Sequence, residues 1–303
     1  MHYNFTDGDI ENITREFGQA FFEKVQEDLK IYCGRWHLHA LRLVQYFSVN
    51  CLFLCRSELY GDCVLKICDN LPREYTQEYN ALREYNGRRH CRVLDADLGN
   101  GVLLIEQIVP GTQLKHEPSL DRRLAVFASL YEGLHIAPEN PEIYPGYVDW
   151  FIEKTEEMRK QAQHRRLYLY MKKAAQMCLE IASVYNQKKL LHGDLHYDNI
   201  LLGSDGKYVI IDPLAYVGDP VFDIPRYLLN EYADDEQSTT PGERIAYMRG
   251  ITGRLAGNLR LPQALLHKLF FIDACIMKYW DAVDGGAVDY GDIEFAEALL
   301  SDV

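Results

Sequence analysis

Residues 190–223 read LLHGDLHYDNILLGSDGKYVIIDPLAYVGDPVFD. Two short β-prone runs inside this stretch, 200–202 and 208–211, flank SDG, the composition of a hairpin turn. Closing that hairpin brings its flanks together. Asp194, His196, Asp198 and Asn199 precede the first run, and Asp212 ends the second. Asp194 stands five residues before Asn199, so an acid, an amide and a second acid converge at one mouth.

HGDLHYDN followed by IID resembles the catalytic-loop and metal-binding Asp motifs of kinases, with HGD in the place of HRD and IDP in the place of DFG. More narrowly, LLHGDLHYDNILL, VIIDPLAYVGDPVFD and VLLIEQIVPG resemble the aminoglycoside phosphotransferase family. Within that family they are similar to the streptomycin kinase and hydroxyurea resistance kinase group. The likeness covers 36–230 well and the remainder loosely. It implies an α+β, protein-kinase-like fold of two lobes, with a small antiparallel-sheet N-lobe and a larger, mainly helical C-lobe. It further implies that Asp194 is the catalytic carboxylate, accepting or orienting the proton of a substrate hydroxyl as its oxygen attacks the γ-phosphoryl group of ATP. Asn199 and Asp212 then hold Mg2+, a hard cation that prefers oxygen ligands. The competing reading of the same residues is an acidic turn in which Asp194, Asp198 and Asn199 cap nearby backbone groups.

His192 and His196 are spaced for a shared face only on a helix, which Gly193 and the adjoining β-prone run disfavour, and HGDLH lacks the HExxH of a zinc hydrolase. They read instead as supports that hydrogen-bond the loop backbone. Asp219 and Asp223 of GDPVFD read as acids that brace the same region.

Upstream, 46–56 (YFSVNCLFLCR) and 63–68 (CVLKIC) are β-prone runs joined by a polar, glycine-containing turn. Lys66 in CVLKIC resembles the strand lysine that contacts ATP phosphates. Glu78, twelve residues later on a helix expected over 71–86, resembles its ion-pair partner, with Glu74 and Glu84 at neighbouring helical positions. Ser57 and Gly61 occupy the place of a phosphate-covering turn. A single glycine falls short of GxGxxG, however, and a plain hairpin turn is an equal reading. The run 102–111 (VLLIEQIVPG) resembles the strand and hinge between kinase lobes, so the backbone from Glu106 to Ile108 is expected to read adenine.

Strands are also expected over 92–95 and 102–108, helical spacing over 10–32, and a short helix including Leu38, Leu41 and Leu43. Pro110-Gly111 marks the expected boundary between 1–109, with the nucleotide-binding lobe, and 110–303, the catalytic and acceptor-binding lobe. Helices are expected over 121–135 and 147–164. A third carries a packing stripe of Leu167, Tyr170, Met171, Ala174, Cys178, Ile181, Ala182 and Tyr185.

The chain has 303 residues, enough for a sizeable core, and 45 acidic against 32 basic residues give a formal charge of −13. That balance argues against nucleic acid or an anionic membrane surface as the main partner. No run approaches the roughly 18 to 20 apolar residues of a membrane span, and MHYNFTDGDIEN lacks the basic-then-apolar order of a secretory leader. The eight irregularly spaced cysteines fit small buried hydrophobes in a reducing cytoplasm.

Eight acidic residues against Lys207 and Arg226 lie in 205–236, and seven against Lys278 in 273–297. If these segments meet, they favour a hydroxylated cation, with Asp234, Asp235, Glu236, Asp273 and Asp281 as contributors. Related antibiotic kinases commonly carry a basic-glycine pair after IDP, where this chain has Leu214-Ala215. The expected activity is an ATP- and Mg2+-dependent O-phosphotransferase acting on an aminoglycoside-like small molecule. Hydroxyurea, a sugar, an amino alcohol or another metabolite is the alternative acceptor, and a non-catalytic nucleotide-binding module is the alternative of a different class. Monomer and homodimer both stay open.

Overall fold

The computed structural model describes residues 3–45, 50–68, 72–235, 238 and 240–300, with side chains of 72–74 left aside. The chain folds as two compact units, 1–111 with 202–210, and 112–201 with 211–303.

The first unit opens with α1 (Asp7–Phe17), whose first turn is closed by a capping box between Thr6 and Asp9. Gly18, at φ 87°, ends α1 and starts α2 (Gln19–Arg35), so the helical spacing over 10–32 is realised as two helices. Leu38, Leu41 and Leu43, expected on a short helix, instead lie on strand β1 (Leu38–Leu43), antiparallel to β2 (Asn50–Ser57). A strand alternates faces every residue, so Leu38 and Leu43, five apart, would face opposite ways. The register shift between His39 and Arg42, with Ala40 at φ 53°, inserts the residue that turns both leucines inward. Pairing with β2 thus outweighed the local helical spacing.

Next come β3 (Gly61–Cys68), α3 (Pro72–Tyr85), β4 (Val93–Asp97) and β5 (Val102–Glu106). They complete a five-stranded antiparallel sheet in the order β1-β2-β3-β5-β4. Expected strand positions 46–49 and helix position 71 lie outside the described residues. Along β3, Cys63, Leu65 and Ile67 point into a core built with Ile13, Phe22, Val25, Leu29, Tyr32 and Trp36 of the N-terminal helices and the turn after them. Full burial of each large apolar side chain contributes about 1.5–3 kcal/mol, enough to hold α1 and α2 on that face. The two-residue period sends Lys66 to the opposite face.

Strand β6 (Pro110–Gln113) carries the chain out of the first unit. The second unit is mainly helical: α4 (Leu120–Tyr131), α5 (Tyr147–Arg159) and α6 (Arg165–Val184) precede the 190–223 stretch. Helix α4 stops before the expected 135, and Gly133 at φ 82° turns the chain so that His135 leaves the helix. Leu167, Met171, Ala174, Cys178 and Ile181 of the predicted α6 stripe are buried. Strand β7 (Lys189–Leu191) precedes β8 (Ile200–Gly203), β9 (Tyr208–Ile210) and β10 (Tyr216–Gly218), of which 202–210 belong to the first unit. The remaining helices are α7 (Pro225–Ala233), α8 (Pro241–Leu259), α9 (Gln263–Val283) and α10 (Gly291–Leu300). Helix α9 is the hub, packed against α6, α7, α8 and α10. All eight cysteines are buried free thiols. Among the described residues, no helix is long and apolar enough to cross a membrane.

Candidate active site

The loop that leaves β7 is fixed from both ends. Leu191 pairs with Tyr216 of β10, and the backbone carbonyl of His192 accepts the amides of Leu214 and Ala215 at 2.8 and 3.1 Å. Gly193 then turns at φ 84°, and a Cβ there would lie 2.5 Å from the Tyr216 ring, so only glycine fits. Beneath the turn sits Asp223, fully buried. Its Oδ1 accepts the Gly193 amide at 2.7 Å, and its Oδ2 accepts the His192 amide and meets His135 Nε2, each at 2.8 Å. Burial opposes the charge on Asp223, but the His135 hydrogen bond leads the interactions that hold its carboxyl below the usual range.

His192 works from the other side of the loop. Its Nε2 donates to the Ile211 carbonyl at 2.8 Å and its Nδ1 accepts the Asp194 amide at 3.1 Å, the pattern of a neutral imidazole. Burial lowers its pKa and keeps it so. The Ile211 amide also donates to the Asn199 carbonyl at 3.0 Å. These bonds stitch Asp212 onto the loop beside Asn199. Asp212 adopts φ 64°, a left-handed conformation that Asp tolerates better than most residues.

Asp194 is flanked by His196, with Nε2 3.4 Å from Oδ2, and by the Arg226 guanidinium, with Nη1 3.6 Å from Oδ1. Burial raises its pKa, but His196 and then Arg226 overcome that and hold the carboxyl down at about 2. His196 itself lies between two acids, with Nδ1 3.5 Å from Asp198. Burial pulls its pKa down, yet Asp194 and Asp198 push it up to about 9. Asp198 is tied in turn to Lys115. Asn199 donates from Nδ2 to the Asp194 carbonyl at 3.0 Å, while its Oδ1 accepts no hydrogen bond among the described residues. The amide oxygen left open on Asn199 and the carboxylate of Asp212, an exposed residue, are hard oxygen donors of the kind Mg2+ takes alongside water and phosphate. Asp219 is buried and caps the Gln187 and Val221 amides at 3.0 and 3.2 Å.

Of the five acidic residues expected around an acceptor, the four that are described do not gather into one cluster. Asp273, on α9, is buried against Arg226, with Nε 3.0 Å from Oδ2 and Nη2 3.2 Å from Oδ1. Asp234 accepts the Tyr197 hydroxyl, and Asp235 lies 3.7 Å from Arg244. Both line a cavity of about 390 Å3 with Tyr197, Tyr247 and Arg123. Asp281, at the end of α9, pairs with Lys278 at 3.3 Å. Glu236 lies outside the described residues. Internal cations and a hydroxyl engage the four described acids, so a count of acids along the sequence overstates the open negative charge they offer. A larger cavity, about 550 Å3, lies behind His135 and Asp219 and does not include Asp194.

In the first unit, Lys66 and Glu78 meet at 2.7 Å, both buried. Ser57 Oγ donates to the Trp36 carbonyl at 2.7 Å and accepts the Leu59 and Tyr60 amides at 3.0 and 3.3 Å. Its hydroxyl is therefore committed to folding the turn, which closes at Gly61 with φ 82°. Glu106 is held by a two-nitrogen contact from Arg92, at 3.2 and 3.1 Å. The Ile108 amide and carbonyl form no hydrogen bond among the described residues, which leaves a donor and an acceptor open on that segment.

Sequence reading missed Arg226, His135 and Lys115. Arg226 had one signal, its position as one of two basic residues within a strongly acidic segment. His135 and Lys115 had none, since each meets its acid across more than 80 residues of chain.

The profile of the aminoglycoside/hydroxyurea antibiotic resistance kinases matches residues 35–285. Streptomycin 6-kinase of Streptomyces griseus is 29% identical over 237 residues, covering 76% of this chain and 75% of that one. Hydroxyurea phosphotransferase of Kitasatospora aureofaciens is 30% identical over 229 residues, covering 73% and 63%. Among solved structures, choline kinase LicA from Streptococcus pneumoniae superposes with TM-score 0.64 at 13% identity, over 93% of this chain and 100% of that one. Aminoglycoside phosphotransferase APH(4)-Ia superposes with TM-score 0.60 at 15% identity, over 92% and 97%. These likenesses show a kinase-like fold, and the profile match extends over most of the chain. This chain belongs to the aminoglycoside/hydroxyurea antibiotic resistance kinase family, whose members are small-molecule phosphotransferases.

Proposed function

We propose that the protein transfers the γ-phosphoryl group of ATP directly to a hydroxyl of a small molecule, with Mg2+. The observation that carries this reading is Asp194. It is an ionised carboxylate held between His196 and Arg226 on a loop that also presents Asn199 and, through the Ile211–Asn199 backbone bond, Asp212. The acceptor oxygen attacks the γ-phosphorus, the bond from that phosphorus to the bridging oxygen of ADP breaks, and the hydroxyl proton passes to Asp194. Asn199 and Asp212 would hold Mg2+, which would supply positive charge to the phosphates. Asp223, His192 and His196 hold the loop in place, and Asp219 caps the turn that leads into Asp223.

Nucleotide binding is assigned to the unit that carries Lys66. Lys66, oriented by Glu78, contacts the α- and β-phosphates; the turn from Ser57 to Gly61, whose amides at Leu59 and Tyr60 are committed to Ser57, lies over them as a fixed cover; and Ile108, in the segment from Glu106 to Ile108, offers its open amide and carbonyl to adenine. Support comes from structural neighbours solved with ADP and with AMP. Relatives named for streptomycin and hydroxyurea support two acceptor classes, an aminoglycoside-like polyol cation and a compact hydroxyl compound. The second is favoured at the reacting atoms by the guanidinium beside Asp194.

The test is mass-spectrometric detection of phosphorylated products from Mg2+, ATP and a panel of aminoglycosides, hydroxyurea, sugars and amino alcohols, with Asp194→Asn as control. A product gaining one phosphoryl group only with the wild type is expected. ATP binding with no transfer to any acceptor, and none to water, would instead identify a nucleotide-binding module.

A further inference from the structure

The chain carries a formal charge of −13, yet the immediate surroundings of Asp194 are balanced. Three carboxylates, Asp194, Asp198 and Asp273, interleave with Lys115, His196 and Arg226. Arg226 is the member that reaches the reacting carboxylate from outside the loop. It stands in the first turn of α7, after Pro225, and is braced by Asp273 and by the Met277 sulfur, one turn further along α9. The α7–α9 packing therefore sets where its guanidinium lies.

Two features distinguish this arginine from a structural ion pair. Its side chain retains 19% exposure beside an Asp194 that retains 28%, so each keeps only an exposed edge, while Asp273 behind them is closed. Of the five N–H protons of a guanidinium, one on Nη2 is engaged by Asp273 and one on Nη1 by the Met277 sulfur, while Nε lies 3.0 Å from Asp273 Oδ2 as an ion pair. The Nη1 edge lies 3.6 Å from Asp194, beyond hydrogen-bond reach. The second Nη1 proton is left as donor capacity beside Asp194.

We infer that Arg226 determines acceptor class: it selects small molecules that carry a carbonyl or other oxygen acceptor beside the phosphorylated hydroxyl and rejects those that carry an ammonium there. This rests on the phosphotransfer reading above and sharpens it. A planar donor fork matches an oxygen acceptor and holds the hydroxyl against Asp194. An ammonium in the same place meets a fixed like charge in a poorly solvated pocket, and Asp194 and Asp273 are already compensated. Cationic groups of a larger acceptor are thereby confined to positions away from the reacting hydroxyl.

The experiment compares wild type, Arg226→Met and Arg226→Lys with ATP, Mg2+ and one of two compact acceptors. Hydroxyurea has its hydroxyl beside a carbonyl and no charge; ethanolamine has its hydroxyl two carbons from an ammonium. ADP release is measured with each acceptor and with none. In the wild type, kcat/KM for hydroxyurea should exceed that for ethanolamine at least about tenfold, and Arg226→Met should shrink the ratio by a similar factor, ~1.4 kcal/mol of discrimination. Arg226→Lys keeps the charge without the fork, so it should still reject ethanolamine while losing severalfold on hydroxyurea; it carries the test alone if the Met variant does not fold. Equal handling of the two acceptors by the wild type, including turnover of neither, overturns the inference, as does a ratio unmoved in the variants. Acceptor-free ATP hydrolysis, present in the wild type and lost in Asp194→Asn, separates the two levels: if it persists, only the role of Arg226 falls, and if it is absent, the phosphotransfer reading falls as well.

Discussion

Asp223 accepts the amide of Gly193 at 2.7 Å through a carboxylate that is fully buried and shared with the His192 amide and His135. Three donors converge on two oxygens, so the turn that presents Asp194 is held by charge-assisted hydrogen bonds. Asp223→Asn keeps the shape but turns one acceptor oxygen into an NH2 facing a donor. Losing such a bond and leaving a buried amide unpaired costs about 2–4 kcal/mol. The variant should melt roughly 3–6 °C lower, and its phosphoryl transfer should fall further than its stability. An unchanged melting temperature would mean that the amides find other acceptors.

His196 carries the pH dependence of the loop. The folded state raises its pKa from 6.5 to about 9, so its stabilising contribution is complete below 6.5 and is lost as pH rises through about 9. Asp194 works in the opposite sense. Its pKa falls from 3.8 to about 2, and its contribution is present above 3.8 and lost as pH falls through about 2. Between these limits the His196–Asp194 pair is ionised, and activity should decline on the alkaline side with a midpoint near 9. Titration of the His196 ring by NMR checks the cause. A midpoint below 7 would detach the alkaline decline from this residue.

Lys66 and Glu78 form a buried pair at 2.7 Å. Removing one partner of a buried pair typically costs about 3–5 kcal/mol, because the other charge stays desolvated. Lys66→Met should therefore lower the melting temperature, and it should also raise the apparent KM for ATP at least about tenfold, an effect that destabilisation alone does not produce. Glu78→Gln should retain more of both, since the lysine keeps a hydrogen-bond acceptor. A destabilised variant with an unaltered KM would leave Lys66 a structural role only.

How much of this was legible in the sequence depends on the range of the contacts. The 192–199 loop and Asp212 were readable, because a local hairpin and short spacings bring them together. Lys66 and Glu78 were readable too, being separated by the end of one strand, a short connection and the first two turns of a helix. The strand at 38–43 was misread as helix, since its bulge at Ala40 is induced by pairing with β2 and leaves no trace in apolar spacing. Asp273 was read as an open acid, yet α7 packs Arg226 against it 47 residues away in sequence. Charge counts along a segment cannot register that pairing. The same holds for His135, which reaches Asp223 across 88 residues.

Asp212 offers the cleanest separation of charge from fold. Its backbone sits at φ 64°, a conformation that Asn adopts as readily as Asp, so Asp212→Asn should fold normally. What changes is the charge available to a divalent cation, since the amide keeps an oxygen but loses the negative charge that a hard cation prefers. Mn2+ bound in the presence of ADP, followed by electron paramagnetic resonance, should weaken by at least about tenfold, ~1.4 kcal/mol, in this variant. Asn199→Ala removes the other oxygen and should weaken Mn2+ less, because a neutral ligand contributes less than an ionised one. Equal Mn2+ affinity in wild type and Asp212→Asn would place the metal elsewhere and leave Asp212 as a residue that only shapes the turn into β10.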